Sequence, residues 1–239
     1  MALTTDLQQY AETSGLEAFS LQNSKLLKVR LDGGAIQAKR GSMVAYQGDV
    51  TFEHAGSGGM SRMIKKAVSG EGTDLMKMSG SGEVFLADVA QEIHLVRLES
   101  DSLTVNGPNL LAFDADIDWD INRLTGGAAG ALAGGLFNMT LTGSGWVALV
   151  TDGPPVLLDV SSAPTFADAQ AAVTWSSGVT AGLRADVSAK ALLGRSSGES
   201  IQMAFSGQGW VLVQPSEGRV AGIGGGGGGG GMLGSILGG

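Results

Sequence analysis

Met78-Ser79-Gly80-Ser81-Gly82-Glu83-Val84, Leu141-Thr142-Gly143-Ser144-Gly145-Trp146-Val147 and Phe205-Ser206-Gly207-Gln208-Gly209-Trp210-Val211 are three versions of one phrase. Each runs apolar residue, Ser or Thr, Gly, any residue, Gly, any residue, Val. The first glycines stand at 80, 143 and 207, which is 63 and then 64 residues apart. A fixed period of this size marks one supersecondary unit copied along the chain. The units span about 16–88, 89–150 and 151–217. An N-terminal arm (1–15) precedes them and a flexible glycine-rich tail (218–239) follows.

Around each phrase the sequence has strand character. Lys25 to Leu31 alternates, with Leu27, Val29 and Leu31 on one face and Lys28 and Arg30 on the other. Asp32-Gly33-Gly34 predicts a hairpin turn with Ala35 to Lys39 returning. Met43 to Tyr46 and Asp49 to Glu53 follow, joined through a kink at Gly48. In the second unit, Ile93 to Leu98 and Ser102 to Val105 flank a turn at Glu99-Ser100-Asp101. Leu110 to Ile121 reads as one long strand. In the third, Val156 to Val160, Thr165 to Ala167 and Ala171 to Trp175 are predicted strands, then Ile201 to Phe205 and Trp210 to Gln214. Before each phrase lies a helical or Gly/Ala-rich patch: Met60 to Val68, Leu124 to Leu136 and Ala189 to Leu193.

Many short strands with little helix predict an all-β fold. Three copies suggest a β-prism or a barrel of three similar sheets with short helical insertions. In that frame Gly80, Gly82, Gly143, Gly145, Gly207 and Gly209 place a tight bend or bulge at one point of each unit. A phosphate-cradling loop is the competing reading, and it requires a helix directly after the glycines. Here a strand follows each time.

Composition narrows the function classes. The chain has 239 residues, 43% hydrophobic and 16% charged, as in a globular protein. Its net charge of −8 opposes non-specific nucleic-acid binding. There is no cysteine, so disulfides, thiolate nucleophiles and Cys metal sites are excluded. Neither a signal peptide nor an 18-residue apolar run is evident, which gives a cytoplasmic expectation. Gly224 to Gly231 are eight consecutive glycines, followed by the apolar hook Met232 to Leu237.

The residues offer little catalytic chemistry. His54 and His94 are the two histidines, far apart and without a His-x-His pair. Ser81 and Ser144 sit in Gly-Ser-Gly but lack the strand-to-helix elbow of a hydrolase nucleophile. Asp114, Asp116, Asp118 and Asp120 alternate with apolar residues. On one straight strand they would share a face about 6.5–7 Å apart. That is a candidate cation ladder, Ca²⁺ by its hard oxygen donors, or else a solvated face protecting an edge strand. Arg62, Lys65 and Lys66 beside Met63 and Ile64 form the one basic amphipathic spot, a candidate membrane or partner contact. Trp146 and Trp210 share the slot after Gly-x-Gly, where they serve either an interface or the core.

Gly34 to Phe52 (GAIQAKRGSMVAYQGDVTF) resembles the mitochondrial biogenesis (altered inheritance of mitochondria) family, in its bacterial and archaeal members. Gly70-Glu71-Gly72, the three Gly-x-Gly strands, the closing Gly209 to Gln214 and the glycine-rich tail match the same pattern. The resemblance covers roughly residues 16–214. It implies triplicated β units related to the double-stranded β-helix of the tryptophan RNA-binding attenuator group, and it implies self-association. It supplies no reaction and no cofactor. The expectation is a non-enzymatic, self-associating scaffold with other copies of itself as partner, acting at a membrane surface or with a protein. The alternatives are a cupin-like protein binding a small ligand or metal ion, and RNA binding by fold analogy.

Overall fold

The computed structural model describes residues 5–54, 74–123, 137–185 and 201–216. The expected helical patches and the tail lie outside the described residues. After a four-residue helix α1 (Thr5–Gln8) come β1 (Phe19–Asn23), β2 (Leu26–Lys39), β3 (Met43–His54) and β4 (Leu75–Leu86). Next are β5 (Glu92–Asn106), a 3-10 turn (Gly107–Asn109), β6 (Leu110–Asp114), β7 (Asp118–Arg123) and β8 (Phe137–Thr151). The last six strands are β9 (Val156–Asp159), β10 (Thr165–Asp168), β11 (Ala172–Ser176), β12 (Val179–Ala185), β13 (Ile201–Gly207) and β14 (Trp210–Val213).

The described residues are all-β apart from α1 and the 3-10 turn, and every strand pairing is antiparallel. Eleven strands share one sheet, whose main path runs β3-β4-β2-β6-β8-β5-β11-β14-β9. A second sheet is β10-β13-β12. Among the described residues neither sheet closes on itself.

Each Gly-x-Gly strand comes last in its stretch of sequence yet sits in the middle of its pairings. β4 lies between β2 and β3. β8 lies between β5 and the pair β6/β7. β13 and β14 lie between β10/β9 and β12/β11. Neighbouring groups are stitched by a shorter pairing. Ile36, Gln37 and Ala38 of β2 face Asp114, Phe113 and Ala112 of β6. Leu103, Thr104 and Val105 of β5 face Ser176, Trp175 and Thr174 of β11.

Two expected turns are bulges instead. β2 runs straight through Asp32-Gly33-Gly34, and the step from Asp32 to Ala35 faces only the step from Ser81 to Ser79, one residue fewer. β5 runs through Glu99-Ser100-Asp101, where Leu98 faces Gly145 and Asp101 faces Gly143. A positive φ at Gly33 (75°) and at Ser100 (55°) absorbs the extra residue. In the third stretch the same step, opposite Gly207 to Gly209, breaks the strand into β9 and β10. The expected Leu110 to Ile121 strand is also broken: β6 ends at Asp114, and β7 starts at Asp118.

The core lies in three clusters. One gathers Phe19, Leu27, Val29, Leu31, Ile36 and Met78. Another gathers Leu98, Leu103, Leu110, Phe113, Leu141 and Leu149. A third gathers Val160, Trp175, Met203, Phe205 and Val211. Each fully buried Leu, Val or Phe contributes about 1.5–3 kcal/mol, so alternation along the long strands holds the sheets together.

Candidate functional site

At Gly80, Gly82 and Gly207 strands approach closely, whereas Gly143 has ordinary room around it. A Cβ on Gly82 would stand 2.1 Å from the Gln47 carbonyl oxygen, and one on Gly80 2.2 Å from that of Asp49. Gly207 meets the Gly178 carbonyl at 2.2 Å in the same way. Gly145 and Gly209 make room for a side chain that caps the next amide. The Trp146 N–H donates to Asp114 Oδ2 at 2.6 Å, and the Trp210 N–H donates to Ser176 Oγ at 3.1 Å. The glycines thus serve backbone geometry, and a strand follows each pair in the structure as in the sequence.

The aspartate ladder is not assembled. Asp114 ends β6 and turns to the Trp146 amide, and burial raises its pKa. The Trp146 hydrogen bond opposes that rise, Asp116 adds to it, and Arg97 opposes it. Asp116 lies in the turn, with Asp118 and Asp120 on β7, all three exposed. Ile117 is buried between them and needs the chain to turn there, which period-two alternation cannot signal. Among the described residues no group of three or more His, Cys, Asp or Glu is placed to hold a metal.

His94 is a structural residue. It is half-buried and hydrogen-bonded to Thr151 Oγ1 at 2.8 Å, and burial lowers its pKa against the opposing charge of Glu92. Trp146 packs partly buried against the first core cluster with Arg97 over its ring at 5.2 Å, and Trp210 packs against the second. His54 ends β3, and its side chain, like Arg62, Met63, Ile64, Lys65 and Lys66, lies outside the described residues.

One charged group escaped the sequence reading. Lys28, on the face of β2 opposite Leu27 and Val29, is only 3% exposed. Its Nζ meets Glu12 Oε1 at 2.5 Å and Glu83 Oε1 at 2.9 Å and donates to the Thr13 carbonyl at 2.8 Å. Burial works against the ammonium, but hydrogen bonds to Glu12 and Glu83 outweigh it and raise the pKa of Lys28. Hydrogen bonding within the trio, to Glu83 first and then Lys28, lowers that of Glu12. The Gln22 side chain pins the same arm, accepting from the Thr13 N–H at 2.8 Å and donating to the Ala11 carbonyl at 3.0 Å. The end of the expected N-terminal arm is therefore bound to β1 and β2.

Several exposed apolar side chains lie on strands. On β3, Val44 is 58% exposed and Tyr46 48%, with Tyr46 edge-on to Phe52 at 5.1 Å between ring centroids. On β10, Phe166 is 45% exposed beneath Arg184. Val156 and Leu157 are exposed on β9. Among the described residues no helix is long and apolar enough to cross a membrane.

Comparison with known proteins agrees with the strand plan. No curated protein matches the chain. The crystal structure of a Streptococcus pyogenes protein, 22% identical, superposes with a TM-score of 0.67 over 82% of this chain and 91% of that one. At this identity the likeness shows a shared fold. The family model for mitochondrial biogenesis AIM24 matches residues 19–216, from the first residue of β1 to the end of the described chain. With that span covered, the chain belongs to the AIM24 mitochondrial biogenesis family.

Proposed function

We propose that this protein is a non-enzymatic, self-associating structural protein whose body is a prism of three quasi-equivalent β units. The observation that supports it is the recurrence of one pairing plan: a Gly-x-Gly strand, continuous in β4 and β8 and divided into β13 and β14 in the third stretch, that pairs on both sides with strands of its own stretch. Quasi-equivalent units that stitch to their neighbours through strand edges have a geometry suited to closed assembly. The polar groups described above serve the fold. Asp114 and Ser176 cap amides, His94 holds Thr151, and Lys28 holds the arm. Exposed apolar edge strands add the surface on which copies can join.

The test is light scattering coupled to size exclusion, on the intact chain and on a chain ending at Glu217. A discrete oligomer of both places assembly in the β body. An oligomer of the intact chain alone makes the glycine tail the assembling element. Monomers of both at micromolar concentration overturn the proposal.

A further inference from the structure

The two stitching pairings predict a third. Aligned on their partners in the Gly-x-Gly strands, Tyr46, Phe113 and Trp175 are equivalent: they face Val84, Val147 and Val211, each four residues after the first glycine. Val44, Leu111 and Val173 are equivalent too, because each sits at the register shift that follows. Yet their surroundings differ. Leu111, Phe113 and Val173 are 0% exposed and Trp175 3%, against 58% for Val44 and 48% for Tyr46. The difference has a plain cause. β2 lies along β6 and β5 lies along β11, whereas among the described residues β3 has only β4.

The strand that would play the covering part for β3 is also free on one side. Ile36, Leu103 and Thr165 face Met78, Leu141 and Phe205, each two residues before the first glycine. Thr165 to Ala167 of β10 is thus the equivalent of Ile36 to Ala38 and Leu103 to Val105. Among the described residues β10 pairs only with β13. Phe166 takes the place of Gln37 and Thr104 and is exposed, where those two are half-buried under their partners.

We infer that β10 of one copy pairs with β3 of a second copy of this chain, antiparallel, with Phe166 opposite Tyr46, Thr165 opposite Gln47 and Ala167 opposite Ala45. The register is copied from the two pairings inside the chain. Each contact adds a strand to a free edge, where backbone hydrogen bonds supply affinity, and an aromatic cross-strand pair adds to it. The interface is head-to-tail, because each chain offers one β3 and one β10. Repetition closes into a ring or a reciprocal pair, or runs on as a filament. This inference rests on the self-association reading and names its surface.

The cysteine-free chain allows a direct test. Directly opposed residues have Cβ atoms about 4.5–5.5 Å apart, close enough for a disulfide after a small adjustment. Tyr46→Cys and Phe166→Cys chains are mixed and mildly oxidised. Expected is a linked dimer containing one of each, with little linking in either variant alone. The masses of the same samples are read by light scattering before oxidation. An oligomer that yields no mixed disulfide overturns this pairing and leaves self-association standing, whereas monomers overturn both. A Tyr46→Cys/Phe166→Cys double variant that links only within one chain also overturns the inference, since the two edges would then meet intramolecularly. Val44→Lys, on the exposed side of β3, should lower the oligomer mass while keeping the β-sheet circular dichroism. Val156→Lys on β9 should leave the mass unchanged, and an equal loss of mass from both overturns the assignment to β3.

Discussion

At the scale of single residues, the glycines of the repeated phrase are backbone parts, and their replacement separates two kinds of cost. Gly82→Ala forces a Cβ to 2.1 Å from the Gln47 carbonyl oxygen and 3.2 Å from Gly48 Cα. Backbone cannot yield there as a side chain can. We expect a loss of about 1–3 kcal/mol or more, up to failure to fold, as for backbone strain and overpacking. Gly182→Ala, on β12 with open space around it and no positive φ, should stay within about 1 kcal/mol of the parent. Urea denaturation of the two variants checks this, and equal effects would refute the close-approach account.

Asp114 gives a second residue-scale prediction, with a definite sign. Its folded pKa is raised, chiefly by burial, so the folded state holds its proton more tightly than the unfolded chain does. Such a group stabilises the fold most at low pH. That contribution falls away as pH rises through the ordinary and then the raised carboxylate value. An Asn at this position keeps an acceptor for the Trp146 N–H without the charge. Asp114→Asn should therefore be as stable as the parent or more so at pH 7, and its advantage should shrink on acidification toward the ordinary Asp range. An advantage that grew as pH fell would contradict the burial argument.

At the scale of elements, the long strands show what a sequence can and cannot announce. Alternation located the first half of β2, Lys25 to Leu31, because apolar period two follows directly from the pleat. It did not distinguish a turn from a bulge at Gly33-Gly34 or at Ser100, since both need a residue at positive φ. Only the partner strand, many residues away, decides between them. β12 went unseen because Val179 to Ala185 carries Ala and Gly where strand signals rely on branched and aromatic side chains. The burial of Lys28 went unannounced for a similar reason. Period two names the face of a residue, and nothing nearby announces that Glu12 and Thr13 will return to cover it.

That returning arm has a measurable worth. A chain beginning at Leu16 loses Glu12 and the Thr13 carbonyl from the Lys28 ammonium. We expect it to be less stable by about 1–3 kcal/mol, the range for charged hydrogen bonds. The gap should be widest near neutrality. The raised pKa of Lys28 means its contribution is full below the ordinary lysine value and is lost as pH rises through the folded one. The lowered pKa of Glu12 means its contribution is full above the ordinary carboxylate value and is lost as pH falls through the folded one. Denaturation of both chains across pH should trace a plateau with two falling shoulders, and a gap indifferent to pH would rule out the ion trio as its source.

At the scale of the whole molecule, the glycines spaced 63 and 64 residues apart each lie in a strand with partners on both sides; Gly80 and Gly207 press on a neighbouring carbonyl, while Gly143 has ordinary room around it. Family membership was also visible in the Gly34 to Phe52 stretch. The candidate cation ladder was not a property of the whole molecule. Its four carboxylates lie on two strands and a turn, and one of them faces an amide. That β3 and β10 each have a single partner among the described residues was invisible for a complementary reason. Tyr46 and Phe113 look alike in sequence and differ only in whether a strand from the preceding unit lies beside them. The oligomer mass and the mixed disulfide address this scale, and together they decide whether the third stitch exists and which chains it joins.

The order of strands also bears on how the chain is made. Each Gly-x-Gly strand is the last of its group to leave a ribosome, yet it is the one both neighbours bind. β2 and β3 have no shared partner until β4 is synthesised, and β2 waits for β6, with Ile36 and Asp114 meeting across 78 residues of chain. Pairings this distant in sequence form slowly and leave edges open in the meantime. Maturation should therefore proceed in steps, each locked when a glycine-bearing strand arrives, and a nascent chain stopped just before one of them is the species most in need of a chaperone.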